Sequence, residues 1–424
     1  MMKKKSIFTI CLGTMLEYYD IFLYGSLILV LSPLFFPHED PEISRLFGLV
    51  VFAAGFILRP ISGLLFGYFG DKFGRKKPLQ LSMFFISLPT LMIGLLPTFS
   101  EIGIWAPILL LICRLVQNFF VAGEFAGASV LLLENAPEGK KAYTGGILYM
   151  GTCFALLLSF CLGYIFTNSA IPSWGWRVPF VLGGVFGLFG YFLRRLLPES
   201  EDFLRASKGA GEKFTSLKSF LKSEHRNLVY ILGLITFVAL PYNLVFLYSP
   251  QYLIRIFGFS SREVIAFCIP FAAILTVSNP LMGACSDRFG IKKVCLASAV
   301  LFLISSSLFF LFLNPNMGLS TVFIFQILFC LSCATATGAT MALKVLVFPT
   351  RMRYRGVGLG EALGMAVFTG CTSLICAWLV KATGSEMAPL LFVCPSMLFG
   401  IFSLHKIKVP SREKVAKVSE KRAA

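Results

Sequence analysis

The sequence predicts an all-α integral membrane protein, with twelve transmembrane helices arranged as two pseudo-symmetric six-helix bundles. Composition is the first reason: 57% of the 424 residues are hydrophobic and only 14% are charged, against roughly 25% charged residues in soluble domains. A loop element that occurs twice is the second reason, and an alternation of basic and non-basic loops is the third. Together they exclude an ordinary soluble protein.

The repeated element stands between two long apolar runs in both places. Its first copy is Gly67–Lys77 and its second is Gly283–Lys293, and matching residues are offset by 216 positions (287 − 71 and 290 − 74). A chain that repeats itself in this way is expected to form two similar membrane bundles. One large class of secondary transporters builds a midplane cavity from such parallel halves. The duplication therefore predicts transport.

The number of spans follows from the apolar runs, because a helix needs about 20 apolar residues to cross the hydrocarbon core. The predicted spans are 7–32, 45–69, 78–97, 104–133, 143–167, 177–197, 228–254, 263–284, 294–313, 319–347, 356–380 and 388–405. The predicted domains are a first bundle at 1–197, a cytoplasmic linker at 198–227, a second bundle at 228–405 and a basic tail at 406–424. A short surface helix is expected at 214–223.

Basic residues gather in every second loop, and this pattern predicts orientation. The loops after spans two and eight, the linker and the tail are rich in Lys and Arg, whereas the opposite loops hold few. This positive-inside bias places both termini in the cytoplasm. It also accounts for the net charge of +17, so lipid headgroups and not nucleic acid are the expected partner. The amino-terminal run holds Glu17 and Asp20 and has no cleavage site after it, so we expect an uncleaved first span.

The motifs support neither metal binding nor catalysis. Nearly all twelve cysteines lie inside apolar spans, where they pack as small hydrophobic side chains. The closest pair, Cys330 and Cys333, has no partner pair or nearby histidine, so no metal site is predicted. No catalytic set and no nucleotide-binding loop is visible. The chain is not expected to be an enzyme, and a gradient would drive it without a cofactor.

We single out seven charged side chains within the predicted spans, because a charge is costly there and marks a functional candidate. On the first span Glu17, Asp20 and Tyr24 share one helix face, and on the fourth Arg114, Gln117 and Glu124 share another. Both faces lie near mid-depth, so we expect them to meet around a water-filled pocket. Structural ion pairing is the alternative. The remaining members of the set are Arg59, Lys344 and Glu361.

The residues outside the first and fourth spans leave more than one interpretation open. Arg59 precedes Pro60, and a structural role is as well supported there as a binding role. Lys344 and Glu361 are expected to form a gating or structural pair, although Lys344 could instead extend to the cytoplasmic surface.

The repeated loop predicts a latch between the halves. A carboxylate can bind the positive amino terminus of a helix, and Asp71 is expected to meet the start of the eleventh span at 356–358. Glycines at 67, 70 and 74 would permit close approach, and Arg75 would reach headgroups or linker acids. The second copy supplies Asp287 and Arg288.

The motifs resemble those of one family. Arg59–Lys76 resembles the RPxGxxxFGxxGDxxGRK signature of the metabolite:proton symporters, a bacterial branch of the major facilitator superfamily. Glu17–Ile21 resembles the EWYDF motif of that branch, and Arg114–Glu124 resembles RLxQGFxxGGE. Two further fingerprints match at Trp176–Phe180 and Phe348–Tyr354. The resemblance covers the whole chain.

The resemblance implies a monomeric inner-membrane carrier that moves protons together with its substrate. Members carry proline and betaines, α-ketoglutarate, citrate or shikimate, all of which hold a carboxylate. Arg114, aided by Arg59, would bind that carboxylate, because guanidinium offers a bidentate match. Gln117, Tyr24 and Tyr242 would complete the site, and tyrosines could also cage a quaternary ammonium. Glu17, Asp20 or Glu124 would carry the proton.

Departures from the family pattern leave the substrate open. Asn118 and Ala122 replace family glycines on span four, and Glu361–Ala362 replaces a Tyr–Asn pair. The alternative function is a proton-antiporting exporter on the same fold. Such exporters carry a Gly-Pro-x-x-Gly-Gly element in span five, which Gly145–Thr152 lacks.

Overall fold

A computed structural model describes residues 4–74, 76–195, 217–312, 318–349 and 352–407. In this part of the chain ten helices are long and apolar enough to cross a membrane, and two shorter apolar helices make twelve. The all-α, twelve-span prediction is confirmed. The helices are α1 (Lys4–Phe35), α2 (Pro41–Phe73), α3 (Lys76–Leu95), α4 (Trp105–Glu134), α5 (Lys141–Phe166), α6 (Arg177–Arg195), α7 (Leu217–Phe257), α8 (Ser261–Phe289), α9 (Ile291–Phe312), α10 (Leu319–Val347), α11 (Arg353–Thr383) and α12 (Leu390–Lys406).

Three of these helices are interrupted. The helix α2 consists of Pro41–Gly55 and Arg59–Phe73. It restarts at Arg59 with Pro60 in the first turn, where proline is tolerated because no N–H is needed. The helices α7 and α11 contain π-helical turns at Leu244–Tyr248 and Met365–Gly370. Within a membrane, irregular backbone is tolerated where it is buried in protein or lines a cavity.

The halves meet along two seams. In the first half α1 packs on α5 and α6, and α3 packs on α4 and α6; in the second half α10 packs on α7, α8 and α9. Between the halves α5 packs on α8, and α2 packs on α11. Glycine makes both seams possible: a Cβ added at Gly63 would lie 2.6 Å from the Gly358 carbonyl oxygen, and one at Gly146 would lie 2.5 Å from that of Asn279.

The structure corrects the expectation of a separate surface helix at 214–223. The helix α7 begins at Leu217 and runs without a break past residue 228, so residues 217–223 belong to α7, and residues 214–216 lie outside the described residues. Residues 196–216 and the tail from 408 lie outside the described residues. The bundle end that carries Asp71 and Asp287 is called the basic end below, and the other is called the opposite end.

Candidate functional site

A central cavity of about 70 Å³ lies between the two halves. Its wall is formed by aromatic and aliphatic side chains from both halves. Among the residues that the structure describes, two charged side chains line it, Arg59 from α2 and Glu361 from α11. The wall thus carries one charge of each sign, and each half supplies one of them.

Several contacts hold the Arg59 side chain in place, and one of its guanidinium nitrogens has no hydrogen-bond partner among the described residues. Its side chain is buried, at 3% exposure, and its guanidinium lies 4.0 Å from the centre of the Phe56 ring. Its Nε donates a hydrogen bond of 2.9 Å to Asn118 Oδ1, and Asn118 Nδ2 donates to the Arg114 carbonyl at 3.0 Å. Its Nη2 has no hydrogen-bond partner among the described residues. Asn118, a departure from the family glycine, therefore orients the cavity arginine.

Glu361 forms the pair that the sequence predicts. Lys344 Nζ lies 3.1 Å from Glu361 Oε2, and the lysine side chain is fully buried. The same ammonium lies 6.0 Å from the centre of the Tyr149 ring. The alternative, in which Lys344 extends to the surface, is wrong, because α10 places the side chain against α11.

Aromatic rings from both halves surround the space between these two charges. The Tyr18 and Phe125 ring centres lie 5.1 Å apart, and the Phe22 and Tyr242 ring centres lie 5.7 Å apart. Tyr242 therefore lies on the wall, where the sequence places it. Such faces can bind a cationic group by cation–π attraction.

Arg114, Gln117 and Tyr24 lie elsewhere, which corrects the expectation that they line the pocket. Arg114 Nη1 donates to Gln117 Oε1 at 3.0 Å, and Gln117 Nε2 donates to Thr90 Oγ1 at 2.6 Å. The Arg114 guanidinium lies 4.5 Å from the Tyr24 ring centre, and the Tyr24 hydroxyl donates to Gly48 O at 3.1 Å. This face of α4 turns into the first half. Arg59 and not Arg114 reaches the central cavity.

The three candidate proton carriers are buried inside the first half. Ser82 Oγ donates to Glu124 Oε2 at 2.9 Å. Asp20 lies against α6, so that a Cβ added at Gly183 would be 2.6 Å from its Oδ1. Glu17 interacts electrostatically with Arg59, which connects one of the three acids to the cavity wall.

Both repeated aspartates cap a helix of the other half at the basic end. Asp71 Oδ2 accepts hydrogen bonds from the backbone N and the Nε of Arg355, at 3.3 and 2.9 Å. The expected contact with the start of α11 is present, one residue before the predicted 356–358. Asp287 accepts from the backbone N–H groups of Ala142 and Tyr143 on α5, at 3.0 and 2.8 Å.

The other residues of the two repeated loops have different roles. A Cβ added at Gly67 would lie 2.7 Å from Arg355 Cα, so Gly67 permits the expected close approach. Gly74 and Gly290 do something different: their φ angles are 99° and 102°, a region that favours glycine. Arg288 is exposed, and its guanidinium lies 5.5 Å from the centre of the Phe289 ring, away from the cap. Arg75 lies outside the described residues.

The molecule has two related six-helix halves with a cavity between them, and capping contacts join the halves at one end. This arrangement defines a secondary active transporter with many membrane spans. Residues 6–225 match the family model for sugar (and other) transporters, and residues 264–424 match that of the major facilitator superfamily. The chain belongs to the major facilitator superfamily, in the branch of metabolite:proton symporters.

The relatives agree with this assignment. The chain is 31% identical over 414 residues to the proline/betaine transporter of Escherichia coli K12, covering 94% of this chain and 82% of the relative. It is 30% identical over 420 residues to the glycine betaine/proline/ectoine/pipecolic acid transporter OusA of Dickeya dadantii, with the same coverage. A solved structure of the proton:xylose symporter XylE from E. coli superimposes with a TM-score of 0.76, at 17% identity, over 96% of this chain and 97% of that one. At that identity the likeness shows the fold.

Proposed function

We propose that this transporter takes up a small zwitterion, bearing a carboxylate and a cationic nitrogen, together with a proton across a bacterial inner membrane. One observation carries the proposal: Arg59 and Glu361 stand on the wall of one cavity, from opposite halves, and Arg59 Nη2 has no partner among the described residues. Relatives named for proline and betaine support the same class.

Recognition follows from the chemistry of the wall. The substrate carboxylate would bind the Arg59 guanidinium through a charge-assisted hydrogen bond. The cationic end would lie toward Glu361 and the rings of Tyr18 and Tyr242. The wall carries one guanidinium and one carboxylate, which favours a solute with one charge of each sign over a tricarboxylate.

Proton coupling would pass through Glu17. Arg59 carries a positive charge that interacts with Glu17. A bound substrate carboxylate would offset that charge, so protonation of Glu17 would become more favourable when the site is filled. Asp20 and Glu124 are the other candidate carriers. A proton gradient would then drive accumulation without an organic cofactor, and one chain holds the complete site.

Alternating access would act on the two caps. With the basic end in the cytoplasm, as the loop charges predict, the present arrangement joins the halves on the cytoplasmic side. Release inward would need Asp71 to leave α11 and Asp287 to leave α5. That movement would also separate Arg59 from Glu361, because the two residues belong to different halves.

The test is uptake into proteoliposomes with an imposed inward proton gradient. Radiolabelled glycine betaine or proline should accumulate, a protonophore should abolish the accumulation, and α-ketoglutarate and citrate should not compete. Glu17→Gln should lose gradient-driven accumulation and retain exchange of labelled for unlabelled solute. Outward movement driven by the same gradient would favour the exporter, and preferential uptake of a dicarboxylate would contradict the zwitterion.

A further inference from the structure

A second cavity, of about 330 Å³, lies between the halves at the opposite end of the bundle. We call it the outer vestibule. It is lined by the first turns of α2, the last turns of α7, the end of α11 and the loop that follows. Its size falls in the range of about 300–1,000 Å³ that is typical of small-molecule sites. None of its lining residues lines the central cavity.

The vestibule has more basic than acidic groups. Arg45, Arg255 and Lys381 line it together with Glu42 and Glu386. Arg255 is already neutralised, since its Nη2 lies 2.5 Å from both carboxylate oxygens of Glu386. Arg45 and Lys381 form no ion pair with any residue that the structure describes. Two cations, one from each half, are thus left with the single acid Glu42.

A buried hydroxyl points to a missing acceptor at the same place. Tyr248 lines the vestibule, and only 5% of the residue is exposed. Its hydroxyl has no hydrogen-bond partner in the described part of the chain, although a buried tyrosine hydroxyl usually finds one. The hydroxyl oxygen itself is covered by protein, so a carboxylate beside Arg45 and Lys381 would supply that acceptor once the Tyr248 side chain turns toward the vestibule. The same carboxylate would neutralise the excess positive charge.

Only a short stretch of α7 separates the vestibule from the central cavity. Tyr242 lines the central cavity and Tyr248 lines the vestibule, six residues or about 9 Å apart along a helix. The π turn Leu244–Tyr248 occupies this stretch. Asn243, the residue before this turn, contacts the π turn of α11, because its Nδ2 donates to Phe368 O at 3.1 Å. π-helical turns are frequent at functional sites.

We infer that the outer vestibule is a second binding site, specific for the carboxylate of small solutes, with Arg45, Lys381 and Tyr248 as its ligands. A solute held there would pass the two π turns to reach Arg59. The class of ligand follows from the vestibule residues alone, and only the order of binding rests on the proposed function. The site would raise the local concentration of substrate at the outer side of the central cavity.

Carboxylate binding can be measured without knowledge of the cargo. Trifluoroacetate is titrated onto the full chain in lipid nanodiscs and followed by fluorine NMR, with acetate as competitor. Because Arg59 is itself the proposed central carboxylate site, the comparison is made in the Arg59→Gln background, where the vestibule should still bind trifluoroacetate. Adding Tyr248→Phe/Lys381→Gln to that protein should weaken the remaining binding by at least about 5-fold. Arg262→Gln is the matched control, because Arg262 lies at the same end but over the Tyr164 ring at 4.4 Å and not on the vestibule.

Uptake gives the second measurement. The double variant Tyr248→Phe/Lys381→Gln, made with Arg59 present, should raise the KM for solute uptake by roughly 5- to 30-fold and change kcat by less than about 2-fold, since the central site is intact. The inference is overturned if wild-type protein binds no trifluoroacetate, or if Arg59→Gln abolishes binding while the double variant keeps it. Failure of proton-driven zwitterion uptake in the wild type would contradict the proposed function. The fluorine NMR result would still stand, because it measures carboxylate binding and not transport.

Discussion

The two halves of the molecule keep their buried charges in different places. Among the residues that the structure describes, the first half holds Glu17, Asp20, Arg114 and Glu124 within its own bundle and contributes Arg59 as its one charged side chain on the wall of the central cavity. In the described part of the second half, Lys344 and Glu361 form a buried ion pair, and Glu361 lies on the wall. Charge recognition therefore needs both halves, and a movement that parts them would take the site apart.

The two caps at the basic end differ as well. Asp71 binds both the backbone and the guanidinium of Arg355, and both side chains are 1% exposed. Asp287 accepts from two backbone N–H groups of α5 and pairs with no charged side chain that the structure describes, and it is less buried. The seam between α2 and α11 is therefore expected to be the stronger of the two.

The largest effect is expected when the buried pair of the second half is broken. Lys344→Met would leave Glu361 buried beside no ammonium, at a cost of about 3–5 kcal/mol of stability. Thermal unfolding in detergent measures this cost. The double variant Lys344→Met/Glu361→Gln should recover most of the loss, and a double variant as unstable as the single one would show that the pair does not explain it.

Loss of the Arg59 charge, which the first half contributes to the central cavity, should affect transport more than folding. Arg59→Gln removes a charge-assisted hydrogen bond to substrate, worth about 1.5–3 kcal/mol, or roughly 10- to 150-fold in kcat/KM for uptake. Arg288→Gln makes the same change at an exposed position and serves as the control. Equal losses of kcat/KM in both variants would show that Arg59 is not part of the substrate site.

The two caps can be compared directly by neutralising each aspartate. Asp71→Asn should favour opening of its seam by about 1.5–3 kcal/mol, and Asp287→Asn by about 0.5–1.5 kcal/mol, since only the first loses a charged partner. Hydrogen–deuterium exchange of the first turns of α11 and α5 reports the two openings separately. Faster exchange in α5 of Asp287→Asn than in α11 of Asp71→Asn would reverse the ranking.

The smallest effect should come from the residue that orients the cavity arginine. Asn118→Gly restores the family residue and removes the hydrogen bond to Arg59 Nε. Because Arg59 keeps its charge and its other contacts, we expect substrate binding to lose only about 1 kcal/mol, or roughly 5-fold in the KM for uptake. An unchanged KM would show that Asn118 is not needed to keep Arg59 in place. A change in kcat with a constant KM would place Asn118 in the conformational step.

The sequence by itself determined the architecture of this protein. Apolar runs of about 20 residues gave the twelve helices, and the duplicated loop gave two related halves. The buried charges were visible, because an ionisable side chain stands out in an apolar run. The contact of Asp71 with the start of α11, and the pairing of Lys344 with Glu361, also followed from charge and position.

Only the tertiary structure decided which of these charges reaches the central cavity. Helical periodicity shows that Arg114 and Gln117 share a face, but the rotation of α4 against its neighbours turns that face into the first half. The same rotation brings Asn118 to Arg59. Neither the π turn of α7 nor the partner of Asp287 has a local signal, because both depend on how the two halves pack against each other.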